Sequence, residues 1–485
     1  MNFDFEFTVE ALRKAVGDRL SDPAIDEPTR FMLGRTDQLL KAMALGSWHA
    51  KPMENEHRQA IEAIGRSLID SLGMNQSDVL PPSGQSDNDG TSDIDRTLRS
   101  AVEALCADKV SARQRECIQA LALKCGSLEN EILEREAART TNTPPESARQ
   151  SVSAVSYTKA KLTNFIRSKG SEWHSATIDA ITVLNVGGTK DTIIAVLKEP
   201  VGSLQRLVFR VDRPVQLTRT SVVDEFELLQ YVYAAKLPIP HPLWLETSGE
   251  VLGQPFVVME HVDGSVPSLD PDCTTGLTPT ICQQMATFLA ELHNLPIPHS
   301  AVRGARFSDF SERLRYFYDW YISLARAPSI VVDSAFAWLM ASTSLVDGPR
   351  VLVHGDFNHR NLMLADGKLS AVLDWETWQV GHRAEDLAYC RPGVSAVMPW
   401  VEFLAMYERA GGTPVHEDAL KYCELWSYAR NCVYLVTAES EYRSGRTNNF
   451  FCASVGPIEL LSQTKAAARV LAQISQATRF QQTTE

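Results

Sequence analysis

The sequence predicts an α+β chain in three parts: an all-helical N-terminal domain, a small sheet carrying one helix, and a large helical domain interrupted by a β-hairpin. Three observations carry this. Apolar residues recur at three- and four-residue spacing through roughly the first 137 residues. Alternating apolar patterns follow in "ATIDAITVLNV", "TIIAVLKEP" and "LQRLVFRV". Finally, "VLVHGDFNHRNLMLADGKLSAVLDWETW" (351–378) places two apolar runs around the turn dipeptide Asp366-Gly367 inside an otherwise helical stretch.

Taken in order, residues 1–137 hold the amphipathic segments "VEALRKAV", "FMLGRTDQLLKAMALG", "QAIEAIGRSLIDSLG" and "LRSAVEALC". A polar stretch near 75–93, rich in Ser, Asp, Gly and Pro, reads as a mobile loop inside this domain. The run "TTNTPPESARQ" marks a linker over 138–150. A helix over 151–169 leads into the strands, and "SVVDEFELLQYVYAAK" supplies the helix that crosses them. The strand "PFVVMEHV" ends this part at residue 262, and residues 263–485 are mainly helical.

At 485 residues the chain exceeds one ordinary core, and 44% hydrophobic with 22% charged residues describes a globular protein. A net charge of −13 argues against nucleic acid or an anionic membrane as partner. Nine scattered cysteines form no CxxC pair, so a reduced interior fits better than a disulfide framework or a zinc site. The start "MNFDFEFTVEALRKA" lacks the basic and apolar regions of a signal peptide, and no apolar run is long enough to span a bilayer. The expected location is cytoplasmic.

The hairpin segment carries the chemistry. Two carboxylates and an amide, Asp356, Asn361 and Asp374, are costly on one hairpin unless something binds them. Phosphoryl transfer from ATP needs a carboxylate near the acceptor hydroxyl, oxygen ligands for magnesium, and positive charge on the phosphates. Magnesium favours hard oxygen ligands, which suits Asn361 and Asp374, and Asp356 is then left to orient the acceptor hydroxyl. The order Asp-x4-Asn, then Asp at the end of the next strand, matches the catalytic loop and metal-binding segment of protein kinases.

On these motifs, residues 160–440 resemble the aminoglycoside phosphotransferase-like kinase family, and within it the branch associated with acyl-CoA dehydrogenases. The resemblance implies a two-lobed protein-kinase-like fold, with a small β-rich N-lobe (151–262) and a large helical C-lobe (263–485), preceded by the all-α accessory domain. It implies an ATP- and Mg-dependent kinase acting on a hydroxyl of a small molecule, a hydroxyacyl-CoA or related hydroxy acid. An aminoglycoside kinase and a nucleotide-binding pseudokinase scaffold are the alternatives. It carries over Asp356 as catalytic residue and Asn361 and Asp374 as magnesium ligands. His354 becomes a residue that fixes the loop, Asp386 of "GHRAEDLAY" a buttress beneath it, and Glu376 of "DWE" a residue on or behind the metal.

Upstream, "LNVGGTKDT" resembles the family's glycine loop, so Gly187 and Gly188 would let backbone amides approach phosphate. Lys190 and Asp191 stand where the family has Ser and Asn. "LVFRVDRP" places Arg210 where the phosphate-binding cation belongs, and Glu225 is expected to pair with it. "FVVMEHVDG" resembles the hinge, so backbone groups from Glu260 to Val262 would meet adenine. The aromatic run "LRYFYDWYISLA" (314–325) has the spacing of helix packing. Arg430 could line the acceptor pocket or cap a buried acid. The N-terminal domain holds no catalytic cluster, and a regulatory role or self-association into a homo-oligomer is expected of it.

Overall fold

The structure, a computed structural model, describes residues 159–184, 189–198, 204–267, 276–297, 307–324, 329–447 and 450–482, with single positions between 112 and 126. Gly187, Gly188, the loop near 75–93 and the linker 138–150 lie outside the described residues, as does nearly all of the expected N-terminal domain. The chain divides into two compact units. One contains Ser153–Asp309 and Val346–Cys423; the other contains Met1–Val152, Phe310–Leu345 and Glu424–Glu485.

In the first unit, helix α1 (Lys159–Arg167) ends two residues before the expected 169, the expected start at 151 lying outside the described residues. Strands β1 (Thr177–Leu184), β2 (Lys190–Lys198) and β3 (Leu204–Asp212) follow. Helix α2 (Val222–Ala234) follows, then β4 (Pro242–Glu246) and β5 (Phe256–Glu260). The five strands form one antiparallel sheet in the order β1-β2-β3-β5-β4. Period-two alternation divides its faces. Ile193, Ala195 and Leu197 of β2 and Leu207, Phe209 and Val211 of β3 point to one face, where Leu162, Phe165 and Ile166 of α1 close the core. Phe165 meets Phe256 edge-on with ring centroids 4.8 Å apart. The opposite parity carries Lys190, Thr192, Arg210 and Asp212 onto the other face, with Thr192 opposite Arg210 and Lys190 opposite Asp212.

The helical part of this unit begins with α3 (Pro279–Asn294), capped by Thr278 and started by a proline in its first turn. In the second unit lie α4 (Phe310–Leu324) and α5 (Ile330–Ala341). The chain returns to the first unit with β6 (Val351–Val353), β7 (Leu362–Ala365), β8 (Lys368–Val372) and β9 (Gln379–Gly381). The β7–β8 hairpin is closed by Asp366 and Gly367, with φ of 50° and 70°, the left-handed pair that a two-residue hairpin turn requires. β6 pairs with β9, and α6 (Ala384–Ser395) and α7 (Trp400–Arg409) complete the unit. Ser265, just past the end of β5, exchanges two backbone bonds of 2.9 Å with Leu364 and so ties the sheet's exit to the hairpin.

The second unit is finished by two long helices, α8 (Glu417–Arg443), whose first turns precede the unit boundary, and α9 (Phe450–Gln482). The aromatic run on α4 is packing, as its spacing implied. Phe317, Tyr318, Trp320 and Tyr321 are buried, and Phe317 meets Trp426 edge-on at 5.1 Å. Arg430 is also buried in this unit, with its guanidinium 5.8 Å from the Tyr434 ring. The described positions between 112 and 126 are helical, and Gln119 closes the C-terminus of α5 by donating to Ala341 O (3.0 Å) and Ser342 Oγ (2.8 Å). The last carbonyls of a helix lack partners of their own, so this contact is stabilising. Gln119→Ala is expected to cost about 1 kcal/mol, read as a lower urea midpoint with an unchanged slope.

Candidate active site

The site is built on the loop that leaves β6. Gly355 has a φ of 81°, and a Cβ there would lie 2.4 Å from Thr377 O, so only glycine lets the chain turn beneath the 377 backbone. The turn is held from below by Asp386, which is fully buried at the start of α6. It accepts from His354 N (2.9 Å) and Gly355 N (2.7 Å) and meets His293 Nε2 at 3.2 Å. His354 accepts from Asp356 N at Nδ1 (3.2 Å), which leaves the proton on Nε2 for donation to Leu373 O (2.9 Å). Both ring nitrogens are therefore engaged in joining Asp356 to the strand that delivers Asp374.

Asp356 is gripped by two amides. Asn361 Nδ2 donates to its carboxylate (2.7 Å) and to its backbone carbonyl (2.8 Å). Asn358 Nδ2 does the same at 3.2 and 3.0 Å. Asn358 also caps the short turn His359–Asn361 by accepting from Arg360 N at 2.9 Å. Asn361 thus spends its nitrogen on Asp356 and keeps its oxygen Oδ1 as an acceptor. Leu373 N donates to Asn361 O (2.8 Å), which brings Asp374 beside that loop. Asp374 itself has a φ of 66°, a left-handed conformation that costs a non-glycine residue about 1–3 kcal/mol and is characteristic of functional turns.

Five more charged side chains converge here from the sheet, from α2 and from the end of the DWE segment. Arg210 Nη2 lies 2.6 Å from Asp374 Oδ1. Lys190, only 3% exposed at the start of β2, places Nζ 3.3 Å from Glu225, 3.4 Å from Glu376 and 3.5 Å from Asp212, and donates to Thr220 O at 3.0 Å. The expected Arg210–Glu225 pair is therefore corrected. Glu225 pairs with Lys190, and Arg210 pairs with Asp374. The physical reason is reach: Lys190 and Asp212 face one another at the end of the β2–β3 ladder, where α2 begins. Asp212 also accepts from Val222 N (3.1 Å) and from the Ser221 hydroxyl, fastening the start of α2 to that point.

Burial would raise the Asp374 carboxyl, but the charge and hydrogen bond of Arg210 overcome it and hold the group below its usual value. Glu376 is pushed up to about 7 by burial and by the neighbouring Asp374, against the pull of Lys190. Burial alone would lower Lys190; Glu225, Glu376 and Asp212 reverse the sign and raise it, so it stays an ammonium. Arg210 Nε is buried without a hydrogen-bond partner among the described residues. A buried guanidinium with a spare donor is suited to an anion, and its planar fork suits a phosphate.

At the hinge, Glu260 N donates to His241 O (3.0 Å) and His261 N to Arg206 O (3.2 Å), because β5 lies between β4 and β3. Of the Glu260–Val262 amides expected to face adenine, two are thus spent within the sheet. Among the described residues, Val262 N makes no hydrogen bond. Asp212, Asn358 and His293 are residues of the site that sequence reasoning did not single out, and Lys190 was met there only as a departure from the glycine loop.

The donor set suits magnesium. Among the described residues no three His, Cys, Asp or Glu side chains could hold a metal ion by themselves. One carboxylate and one amide oxygen is the protein's usual share for a magnesium ion bound largely by phosphate oxygens and water. Among the described residues no helix is long and apolar enough to cross a membrane.

Comparison with known proteins follows the same residues. Positions 185–423 match the Phosphotransferase enzyme family. Acyl-CoA dehydrogenase family member 11 of Rattus norvegicus is 28% identical over 244 residues, which is 47% of this chain and 29% of that protein. Acyl-CoA dehydrogenase family member 10 of Mus musculus is 26% identical over 213 residues, 41% of this chain and 18% of that protein. The chain spans less than a third of the length of these relatives. Among solved structures, macrolide 2'-phosphotransferase MphH from Brachybacterium faecium aligns with a TM-score of 0.44 and 19% identity, covering 61% of this chain and 97% of that one. Over residues 185–423 the chain carries a domain of the Phosphotransferase enzyme family, a family of small-molecule phosphotransferases.

Proposed function

We propose that the chain is an ATP- and magnesium-dependent kinase that phosphorylates a hydroxyl group of a small molecule, with a hydroxyacyl-CoA or related hydroxy acid as acceptor. The observation that carries this is the convergence of Asp356, Asn361, Asp374 and Arg210, joined by the 2.7 Å Asn361–Asp356 bond and the 2.6 Å Arg210–Asp374 pair. In this reading Asp356 accepts a hydrogen bond from the acceptor hydroxyl and takes its proton as the oxygen attacks the terminal phosphorus of ATP, whose bond to the bridging oxygen breaks to release ADP. Arg210 binds phosphate oxygens. Asn361 and Asp374 would hold the metal, which when bound offsets the negative charge of the phosphates. The Val262 amide is the hinge donor for the base.

Support for the acyl-CoA acceptor comes from the named relatives, acyl-CoA dehydrogenase family members that share this segment. Incubating the full chain with labelled ATP-Mg and a panel of hydroxyacyl-CoA thioesters, free hydroxy acids and aminoglycosides tests it. Transfer to the thioesters or hydroxy acids is the expected result, and transfer confined to aminoglycosides overturns the acceptor assignment. We also propose that the N-terminal region serves assembly or stability and supplies no catalytic group; the Gln119 contact to α5 supports this.

The metal role has its own check. In Asp374→Ala, ATP affinity by titration calorimetry should fall about tenfold or more in magnesium and lose its dependence on the ion, since the only carboxylate in the proposed ligand set is gone. Unchanged ATP-Mg affinity in that variant counts against the assignment.

A further inference from the structure

Four carboxyl groups (Asp212, Glu225, Glu376 and Asp374) share two cations on one face of the sheet, and the two divide them unequally. Among the described residues Arg210 takes only Asp374, at 2.6 Å. Lys190 takes the other three, all within 3.5 Å. We infer that Lys190 is a positioning residue for nucleotide binding: it satisfies Glu225 and Glu376 so that Arg210 is left for the phosphates. This rests on the kinase reading for its nucleotide, but the pairing itself does not.

The geometry explains why one ammonium can do this. A lysine has three donors on a short rotor. One goes to Thr220 O, just before α2, and the remaining hydrogens lie among carboxylates from three elements: the end of β3, the first turn of α2 and the DWE segment. Glu225 Oε1 and Glu376 Oε2 are buried with no aligned hydrogen-bond donor among the described residues, so the ammonium at 3.3 and 3.4 Å is their charge partner. Trp378 Nε1, which donates to Asp224 O at 3.1 Å, braces the same α2 end against the segment that follows Glu376. Remove the ammonium and Glu225 and Glu376 are left buried with Arg210 as the nearest cation. The guanidinium would be drawn toward them and away from phosphate, and the segment holding Asp374 would lose its anchor on the sheet. Burial makes this effect large, since charges in a dry site are poorly screened.

The test is a double-mutant cycle on the full chain with Lys190→Met, Glu225→Gln and both together. ATP-Mg affinity is read by calorimetry, and melting temperature is read without nucleotide. Lys190→Met should bind ATP-Mg about tenfold to a hundredfold more weakly, the range for losing a hydrogen bond to a charged group, and Glu225→Gln, which frees no carboxylate to draw Arg210 away, should lose less. The double variant should be no weaker than the worse single, and its melting temperature should lie above that of Lys190→Met because one buried carboxylate fewer is left without its cation. With substrate in hand, the loss should appear in KM for ATP more than in kcat. Wild-type ATP-Mg affinity in Lys190→Met, or affinity losses that simply add, overturns the inference. If Lys190→Met does not fold, soluble double variant alongside it still shows the coupling, and a double variant that also fails to fold overturns it. If the wild-type chain binds no nucleotide, the kinase reading falls, while the melting temperatures still decide whether Lys190 and Glu225 act as a pair.

Discussion

Asp356→Asn is expected to lower the turnover of phosphoryl transfer by about a hundredfold to ten-thousandfold, the range for losing a positioned general base, while ATP-Mg affinity stays near wild type. The side chain is half-buried at the tip of the loop after β6, so the substitution removes a charge without opening a cavity. The loop keeps its shape for a specific reason. Asn361 and Asn358 each donate to the backbone carbonyl of residue 356, at 2.8 and 3.0 Å, and those bonds do not depend on the side chain. Binding should persist because Asp356 lies outside the proposed metal pair. Single-turnover kinetics separate the chemical step from binding. Turnover close to wild type would remove Asp356 from the mechanism. A wild-type chain that binds ATP-Mg yet transfers no phosphate to any acceptor would instead support the scaffold alternative.

The hairpin was legible because its signals are local. An Asp-Gly turn between apolar runs fixes the register of β7 on β8. The five-residue spacing from Asp356 to Asn361 is short enough that the loop must return on itself, and the Asn361–Asp356 bond follows. Asp386 was found by resemblance, and the structure places it under the loop.

What escaped is what depends on strand pairing across long separations. Lys190 sits 35 positions from Glu225 and 186 from Glu376, counted from their residue numbers, and only the β2–β3 register brings its parity onto the face of Arg210. One signal was present: Lys190 and Thr192 have the opposite parity to the apolar set Ile193, Ala195 and Leu197. That assigns the face and not the partner. Which hinge amides stay free was hidden for a related reason. β5 inserts between β3 and β4, an order that cannot be read along the chain, and the insertion consumes the Glu260 and His261 amides. The Arg210–Glu225 expectation failed because resemblance supplied one cation for α2 where this chain has two.

Asp386→Ala is expected to cost about 3–5 kcal/mol of stability, because it orphans several buried groups at once. The carboxylate accepts from two backbone amides, His354 N at 2.9 Å and Gly355 N at 2.7 Å. Its remaining partner, His293, meets Tyr407 Oη at 2.9 Å through Nδ1, so the chain of bonds runs from α7 through α3 to the loop after β6. Tyr407, raised to about 12 chiefly by burial, remains a phenol and can donate to Nδ1 while Nε2–H donates to Asp386. Asp386→Asn keeps the size and one carbonyl acceptor, so it should cost less than the alanine variant. The pH dependence has a definite sign. Burial pushes the Asp386 carboxyl up, but the His293 bond and the His354 amide more than offset it, and the group ends below its usual value. Its folded pKa thus lies under that of the unfolded chain, about 3.9 for a free Asp side chain. The stability it contributes is complete above that value and disappears as pH falls through the lower folded one. Urea midpoints measured from neutral pH down to about 3 should therefore fall less steeply in Asp386→Asn than in wild type, since the asparagine has no proton to take up. An equal acid slope in the two proteins, or an alanine variant as stable as wild type, would show that the loop is held by something other than Asp386.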